Sequence, residues 1–155
     1  MDNRKRRQFI VAVLAVVILA SAAFSIQFAY KLFGPVPAQG FETGITHTQE
    51  VQNLMKHGSV IVLYFSLKDC PGCVNMTPRM EALQSQYKGT DVIFAKVDGD
   101  NNASLQIFSN YGVQTVPTIL VIRRDGAAAT IPPGERYEID TRIVKSTIEE
   151  ARKWK

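Results

Sequence analysis

Hydrophobic residues occur along this 155-residue chain as one long run near the amino terminus and several shorter runs after it. Three of the shorter runs, 59–66, 91–97 and 118–124, have the length of a strand. The first is almost continuously apolar, which is typical of a strand buried on both faces. A fourth segment, 127–131, follows the turn signal Asp125-Gly126 and predicts an antiparallel return strand after a two-residue hairpin.

Apolar residues at helical spacing fill the intervals between these strands. The first helix has two candidate N-caps, Thr46 and Thr48, of which Thr46 fits a capping box with Gln49, and it is predicted to end at Gly58. Three more helices are predicted at 71–87, 103–111 and 140–154. In the last of these, the residues predicted to face inward are Ile143, Val144, Ile148 and Ala151.

The predicted elements therefore follow the order α-β-α-β-α-β-β-α. Strands separated by helices favour a parallel section of sheet, and the hairpin adds an antiparallel edge. The sequence predicts an α/β fold with a mixed β-sheet flanked by helices.

The long apolar run, from Gln8 to Tyr30, contains no charged residue in 23 positions. A helix of this length spans roughly 35 Å, which is enough to cross the hydrocarbon core of a membrane. Basic residues at positions 4–7 precede it, and such residues stay on the cytoplasmic side. We therefore expect a cytoplasmic tail at 1–7, one N-terminal transmembrane helix at 8–30, a linker at 31–44 and a folded domain at 45–155.

A cleaved signal peptide is the other interpretation of this segment, because Ala20-Ser21-Ala22 fits a cleavage site. The length of the run favours a retained anchor. Both interpretations place the domain outside the cytoplasm, and the anchor predicts a single-pass protein of the cytoplasmic (inner) membrane with its amino terminus inside.

The formal net charge of +4 is concentrated at the amino terminus. From Lys31 onward the chain has 14 Lys and Arg residues against 13 Asp and Glu residues. A nearly neutral domain lacks the basic surface that nucleic-acid binding requires. No nucleic-acid partner is expected.

The only cysteines are Cys70, just before the helix predicted at 71–87, and Cys73, in the first turn of that helix. Pro71 suits the first helical position, and the N–H groups and dipole of the first turn stabilise a thiolate there. Cys70 is therefore the predicted nucleophile, with a lowered pKa, and Cys73 the more shielded resolving thiol. A bridge across two residues restrains little of the unfolded chain, so the pair suits thiol–disulfide exchange better than a structural role.

A further interpretation is that the two cysteines are ligands of a zinc site. Such a site needs two more ligands, and the only imidazoles are those of His47 and His57. Neither has zinc-finger spacing to the cysteines. Thiol–disulfide exchange needs neither a metal nor an organic cofactor, and none is expected.

Four segments in order resemble the thioredoxin family, and the resemblance covers about Thr46 to Lys155. Cys70-Pro71-Gly72-Cys73 is similar to the active-site motif, and Pro78 falls where the family kinks its active-site helix. The other two segments are 95–100, which resembles a core strand with its turn, and 111–118, which resembles the stretch ending in a cis-proline.

The resemblance implies a thioredoxin-like fold in which the Val116–Pro117 peptide bond is cis and packs beside the two sulfurs. It also implies that the Val116 backbone pairs with an extended segment of a bound partner. Pro71 and Gly72 are expected to support the site. Lys96 has two interpretations, a lysine beneath the site or a surface lysine.

One departure from the family pattern concerns Tyr64. It stands where cytosolic-type thioredoxins bury an aspartate that assists proton transfer to the resolving cysteine. This difference argues against rapid, thioredoxin-like reduction.

The expected function is thiol–disulfide exchange on exported or membrane proteins with cysteine pairs, with a membrane electron donor as one source of reducing equivalents. The direction, reductase or oxidase, is open at this stage. The alternative is a thioredoxin-like docking module in a membrane complex, in which the dithiol is regulatory or incidental. Fold-level resemblance alone does not separate these functions.

Overall fold

The computed structural model describes residues 44–57 and 59–154. Their elements follow the predicted order, with a short 3₁₀ turn at Asn102–Ser104 before the third helix. The bounds are α1 Thr48–Met55, β1 Val60–Ser66, α2 Pro71–Gln86, β2 Val92–Asp98, α3 Leu105–Asn110, β3 Thr118–Ile122, β4 Ala128–Ile131 and α4 Thr141–Lys153.

The four strands form one mixed sheet in the order β2-β1-β3-β4. Strand β1 is parallel to β2 and antiparallel to β3, and β4 continues antiparallel to β3. Among the four strands of the described residues, β1 and β2 form the parallel pair, and an isolated parallel bridge joins Gly44 to Lys96 of β2. Although a helix separates β3 from β2 in sequence, β3 pairs with β1 instead of β2.

Every residue of β1 is buried, as its continuous apolar sequence predicted. Successive side chains of a strand point to opposite faces of the sheet. Val62 and Tyr64 belong to a core formed with α2 and α4. On the other face, the ring of Phe65 packs edge-on against that of Phe108 in α3, with centroids 4.9 Å apart. Helices thus cover both faces at the end of β1 that leads to the cysteines.

The start of α1 differs by one residue from each of the two predicted N-caps. His47, and neither Thr46 nor Thr48, occupies the N-cap. The Glu50 carboxylate closes the turn by accepting hydrogen bonds from the backbone N–H groups of Thr46, at 2.9 Å, and His47, at 3.3 Å. The predicted end at Gly58 lies outside the described residues.

Four residues of α4 were predicted to face inward, and the structure confirms three of these predictions. Val144, Ile148 and Ala151 are buried, whereas Ile143 is 52% exposed. Positions 144, 148 and 151 form one stripe of an α-helix, and residue 143 is turned about 100° away from it. The prediction that Ile143 faces inward is therefore wrong.

The turn between β3 and β4 is longer than the two-residue hairpin predicted. The strand predicted to reach Arg124 ends at Ile122, and the N–H of Arg123 donates to the Ala127 carbonyl at 2.8 Å. Gly126 has a φ of +86°, a conformation that favours glycine. The Asp-Gly signal identified the turn correctly, but not its length.

The tail predicted at 1–7, the transmembrane helix predicted at 8–30 and all but the last residue of the linker predicted at 31–44 lie outside the described residues. Within the part of the chain that the structure describes, no helix combines the length and apolar character needed to span a bilayer.

Candidate active site

Cys70 and Cys73 are joined by a disulfide bridge at the start of α2, with their Cα atoms 5.2 Å apart. Cys70 is the N-cap residue of the helix, and Pro71 occupies its first turn. The backbone N–H of Cys73 points to Cys70 Sγ across 3.1 Å. This N–H is one of those that a helix start leaves unpaired, so it stabilises negative charge on Cys70 sulfur when the bridge is open.

The two cysteines differ in accessibility. Cys73 is 2% exposed, whereas Cys70 is only partly buried. An incoming partner therefore reaches Cys70 sulfur first, and Cys73 is placed to attack from within. This is the asymmetry on which the predicted roles of nucleophile and resolving thiol depend.

The Val116–Pro117 segment lies beside the exposed cysteine. The peptide bond between these residues is cis, as the resemblance implied. Cys70 Sγ lies 3.8 Å from the carbonyl oxygen of Val116. Pro117 is buried, whereas Val116 is partly exposed, so the backbone of Val116 borders the surface where a partner would approach Cys70.

Gly72 lies in a tight contact that the sequence did not predict. A Cβ atom at this position would be 2.6 Å from the carbonyl oxygen of Tyr137 and 3.2 Å from Cδ of Pro117. Tyr137 has a φ of +55° and is 61% exposed. A bulky residue in the left-handed region is uncommon, and no turn motif in the sequence signals it. The loop before α4 thus packs against Gly72, between the two cysteines.

Tyr64 lies beneath the first turn of α2. It is fully buried, and its hydroxyl donates a hydrogen bond to the backbone carbonyl of Cys73 at 2.9 Å. Burial raises the pKa of the phenol above its usual value, more than a hydrogen bond with Thr77 lowers it. The group under the resolving cysteine is therefore neutral at physiological pH. It differs in this from the aspartate that cytosolic-type thioredoxins bury at the same position.

A cleft of about 430 Å³ opens beside Cys73. Tyr64 is paired across the strands with Lys96, and Ser66 with Asp98, so these side chains share the α2 face of the sheet. Ser66, Lys96 and Asp98 line the cleft together with Cys73. Lys96 is half-buried, with its side chain in the wall of this cleft.

Ser66 and Asp98 were not singled out as site residues from the sequence. The period-two alternation along β1 and β2 placed them on the same faces as Tyr64 and Lys96, which is the signal that would have found them. Their proximity to Cys73 depends on the pairing register, which the sequence did not supply.

Within the described residues, no group of three or more His, Cys, Asp and Glu side chains is arranged to hold a metal ion. The chemistry available at the site comes from two sulfurs, one accessible and one shielded. Opening the bridge would yield a dithiol able to reduce a partner disulfide in two exchange steps.

Comparison with known proteins agrees with this geometry. Residues 42–145 match the family model for thioredoxin. Thioredoxin 2 of Plasmodium falciparum is 38% identical over 65 residues, which cover 42% of this chain and 40% of that protein. Thioredoxin H4 of Arabidopsis thaliana is 25% identical over 108 residues, covering 70% of this chain and 88% of that protein. The chain thus spans less than half the length of the Plasmodium protein.

Solved structures extend the similarity to three dimensions. The oxidised form of mitochondrial thioredoxin 3 from Saccharomyces cerevisiae superposes with a TM-score of 0.57 at 27% identity. The superposition covers 70% of this chain and 93% of the yeast protein.

Proposed function

The chain belongs to the thioredoxin family of thiol–disulfide oxidoreductases, and we propose that it exchanges disulfides with exported or membrane proteins outside the cytoplasm. The Cys70–Cys73 pair is its redox centre. The observation that carries the proposal is the placement of Cys70 sulfur at the surface, beside the Val116 carbonyl and at a helix start.

The reductive reaction proceeds through two exchanges. Cys70 thiolate attacks one sulfur of a partner disulfide, forming a mixed disulfide while the other partner sulfur leaves as a thiolate. Cys73 thiolate then attacks Cys70 sulfur, and the second partner thiolate leaves. Two electrons pass from the dithiol to the partner, and Cys70–Cys73 ends oxidised. The same steps in reverse oxidise a partner dithiol.

The Val116 backbone is the proposed docking edge for the partner. An extended partner segment that pairs with a free backbone edge gains affinity without a specific side-chain sequence. Such pairing would bring a partner cysteine to Cys70, because Val116 oxygen lies only 3.8 Å from Cys70 sulfur.

Trapping of mixed disulfides in cells tests the exchange reaction. A full-length Cys73→Ser chain cannot complete the second exchange, so it should accumulate adducts with exported proteins that disappear on reduction. The matched control is the double variant Cys70→Ser/Cys73→Ser, which should give no adduct. Adducts that persist in the double variant, or none in Cys73→Ser, would reject exchange through Cys70.

The docking-module alternative makes a different prediction. A module that only assembles a complex keeps its cellular function when Cys70→Ser removes the nucleophile. An exchange enzyme loses it. The redox state of Cys70 and Cys73 in cells, read by alkylation of free thiols, gives the direction: a reductant is held mainly as the dithiol, and an oxidant mainly as the bridge.

The proposed location rests on the uncharged run from Gln8 to Tyr30 and the basic residues before it. A reporter enzyme that is active only outside the cytoplasm, fused after Lys155, should be active and should remain in the membrane fraction. Its activity should fall when residues 8–30 are deleted. An inactive reporter on the complete chain would reject the extracytoplasmic location, and an active reporter released from membranes would reject the anchor.

A further inference from the structure

One loop residue beside the redox motif has a backbone conformation that is unfavourable for its type. Tyr137 has a φ of +55°, and among residues 44–57 and 59–154 it is the only residue other than glycine with a positive φ. In this left-handed region the Cβ atom of most residues comes too close to a backbone carbonyl oxygen. Glycine adopts the same conformation without that penalty, and asparagine with a smaller one. A tyrosine at this position is therefore unfavourable for the fold by itself.

The turn around Tyr137 holds this conformation in place. Its backbone N–H donates to the Gly134 carbonyl at 3.0 Å, and the Gly134 N–H donates to the Glu138 carbonyl at 2.9 Å. A Cβ atom added to Gly72 would be 2.6 Å from the Tyr137 carbonyl oxygen and 3.0 Å from Tyr137 Cβ. The same added atom would be 3.2 Å from Cδ of Pro117. The side chain of Tyr137 therefore starts next to both the redox motif and the cis-proline.

The side chain of Tyr137 contributes little to the fold. The residue is 61% exposed, and within the described part of the chain its ring and hydroxyl have no hydrogen-bond partner and no stacking partner. A tyrosine side chain has only two torsions, so the ring stays close to the backbone that carries it. Residues in such unfavourable conformations are concentrated at active sites and ligand-binding clamps. The contact that offsets the strain is therefore expected outside the chain.

Other exposed apolar side chains lie around the same cysteine. Val74 follows Cys70 by one helical turn, with its N–H donating to the Cys70 carbonyl at 3.0 Å, and it is 61% exposed. Residues four apart lie on the same face of a helix. Val116 is partly exposed, and its carbonyl oxygen lies 3.8 Å from Cys70 Sγ. Apolar side chains are thus exposed on more than one side of Cys70, which favours the burial of apolar groups of a partner.

We propose that Tyr137 is a specificity-determining residue, whose ring binds an apolar side chain next to the reactive cysteine of a partner segment. This inference rests on the proposed function, in which the segment pairs with the Val116 backbone and its cysteine reaches Cys70. The class of partner is an extended segment with an aliphatic or aromatic residue beside a cysteine. Tyrosine suits this role, because its ring offers a large contact area with few torsions to fix on binding.

A series of peptides separates partner specificity from the exchange reaction itself. Each peptide has one cysteine, joined by a disulfide to thionitrobenzoate, and the two residues flanking the cysteine are both leucine, both serine or both lysine. In the reduced full-length chain, Cys70 thiolate attacks the peptide sulfur, and thionitrobenzoate leaves as a coloured thiolate. Its absorbance gives the rate constant. Dithiobis(nitrobenzoate), which has no peptide segment, reports the reactivity of Cys70 alone.

Wild type should react at least about fivefold faster with the leucine peptide than with the serine peptide, the factor expected for burial of one or two methylene groups. In Tyr137→Asn this preference should fall by at least about threefold, because asparagine tolerates the left-handed backbone but has no ring. Tyr137→Phe keeps the ring and should keep the preference. The rate with dithiobis(nitrobenzoate) should stay within about twofold of wild type in both variants, because the helix start that stabilises the Cys70 thiolate is unchanged.

Trp154→Asn is the matched control. It removes another exposed aromatic ring, 51% exposed, at the opposite end of α4 from Tyr137. Both the preference for leucine and the rate with dithiobis(nitrobenzoate) should equal those of wild type. A loss of preference as large as that in Tyr137→Asn would overturn the proposal, because any exposed ring would then have the same effect.

The other outcomes distinguish this inference from the exchange function. If reduced wild type reacts with no peptide and not with dithiobis(nitrobenzoate), the function itself is rejected. Equal rates with the leucine and serine peptides in wild type, or a leucine preference that survives in Tyr137→Asn, would overturn the role of Tyr137 alone. A fastest reaction with the lysine peptide would also overturn it, and would assign recognition to the exposed Glu135 and Glu138 of the same loop. Tyr137→Gly, which adopts a positive φ freely, replaces Tyr137→Asn if circular dichroism shows that the latter does not fold.

Discussion

The Tyr64 hydroxyl donates a hydrogen bond to the carbonyl oxygen of Cys73 at 2.9 Å, joining the central strand to the first turn of the redox helix. Thr77 Oγ1 donates to the same oxygen, also at 2.9 Å. Pro78 follows in the helix and has no N–H to donate to the carbonyl of Val74, the residue after Cys73. Side chains therefore support the backbone where the proline weakens the helix, and they fix the position of Cys73.

Replacing Tyr64 by Phe should lower the free energy of unfolding by about 1 kcal/mol, because one buried hydrogen bond is lost. Thr77 still donates to the Cys73 carbonyl, which limits the loss. Chemical denaturation of the oxidised chain provides the measurement. Tyr111→Phe removes the same atom from a half-buried tyrosine outside the site and serves as the control. Equal stability of Tyr64→Phe and wild type would show that the hydrogen bond contributes nothing.

The sequence predicted the structure most accurately where a short motif or an apolar run is typical of one kind of structure. The Cys-x-x-Cys pair at a predicted helix start, the fully buried β1 and the cis bond before Pro117 all appear where expected. The first two follow from local residue chemistry, whereas the cis bond was implied by the family resemblance, since most X–Pro bonds are trans. The sequence was least informative where a tertiary contact decides the outcome.

Tyr137 and Ile143 illustrate this limit. The left-handed backbone of Tyr137 arises in a loop that packs on Gly72, and a local pattern contains no information about that contact. Ile143 is as apolar as Val144, and only the docking of α4 on the sheet decides which of the two is buried. Apolar character predicted a buried stripe, but not its exact edge.

Gly72→Ala should disturb the active site directly. The new methyl group would lie 2.6 Å from the Tyr137 carbonyl oxygen, a backbone atom that cannot rotate away. The loop must shift, so the free energy of unfolding should fall by about 1–3 kcal/mol. Gly44→Ala is the matched control, since its methyl group would meet nothing closer than 3.9 Å. If both variants have wild-type stability, the loop is not packed against the redox motif.

Asp91 connects the start of β2 to the β3–β4 turn and to α4. It pairs with Arg124, and it accepts a hydrogen bond from Arg152 Nε at 3.0 Å. Burial alone would raise the pKa of Asp91, but backbone and Arg152 hydrogen bonds and the two positive charges outweigh it and lower the pKa. A lowered pKa means that the folded state favours the carboxylate, so the pairing stabilises the fold at neutral pH.

Asp91→Asn should therefore reduce stability at neutral pH by about 1 kcal/mol, the usual upper value for partly exposed ion pairs. The difference from wild type should close as the pH falls below about 4, where the unfolded-state carboxyl takes up its proton. Denaturation midpoints measured across this range test the prediction. Asp69→Asn, an exposed position, is the control. A difference that is constant with pH would exclude a charge-based role.

The ionisation of Tyr87 is expected to lower the stability of the fold at alkaline pH. Its ring is buried, and its hydroxyl donates to Glu149 Oε1 at 2.8 Å. Burial, and then the bond to Glu149 and its charge, raise the pKa of Tyr87 to about 12. Unfolded tyrosine ionises near pH 10, so the stability linked to Tyr87 is intact below about pH 10 and is lost as the pH rises towards 12.

Glu149→Gln should shift this alkaline transition to lower pH, because the neutral amide still accepts the hydrogen bond but no longer opposes the phenolate by its charge. Burial, the largest cause of the raised pKa, remains, so the shift should be partial. Unfolding and tyrosinate absorbance followed together from pH 9 upward provide the measurement. Glu150→Gln makes the same substitution at the next, exposed position, where the partner is Lys153, and should leave the transition unchanged. A transition that moves equally in both variants would mean that net charge, and not the contact with Tyr87, sets the alkaline limit.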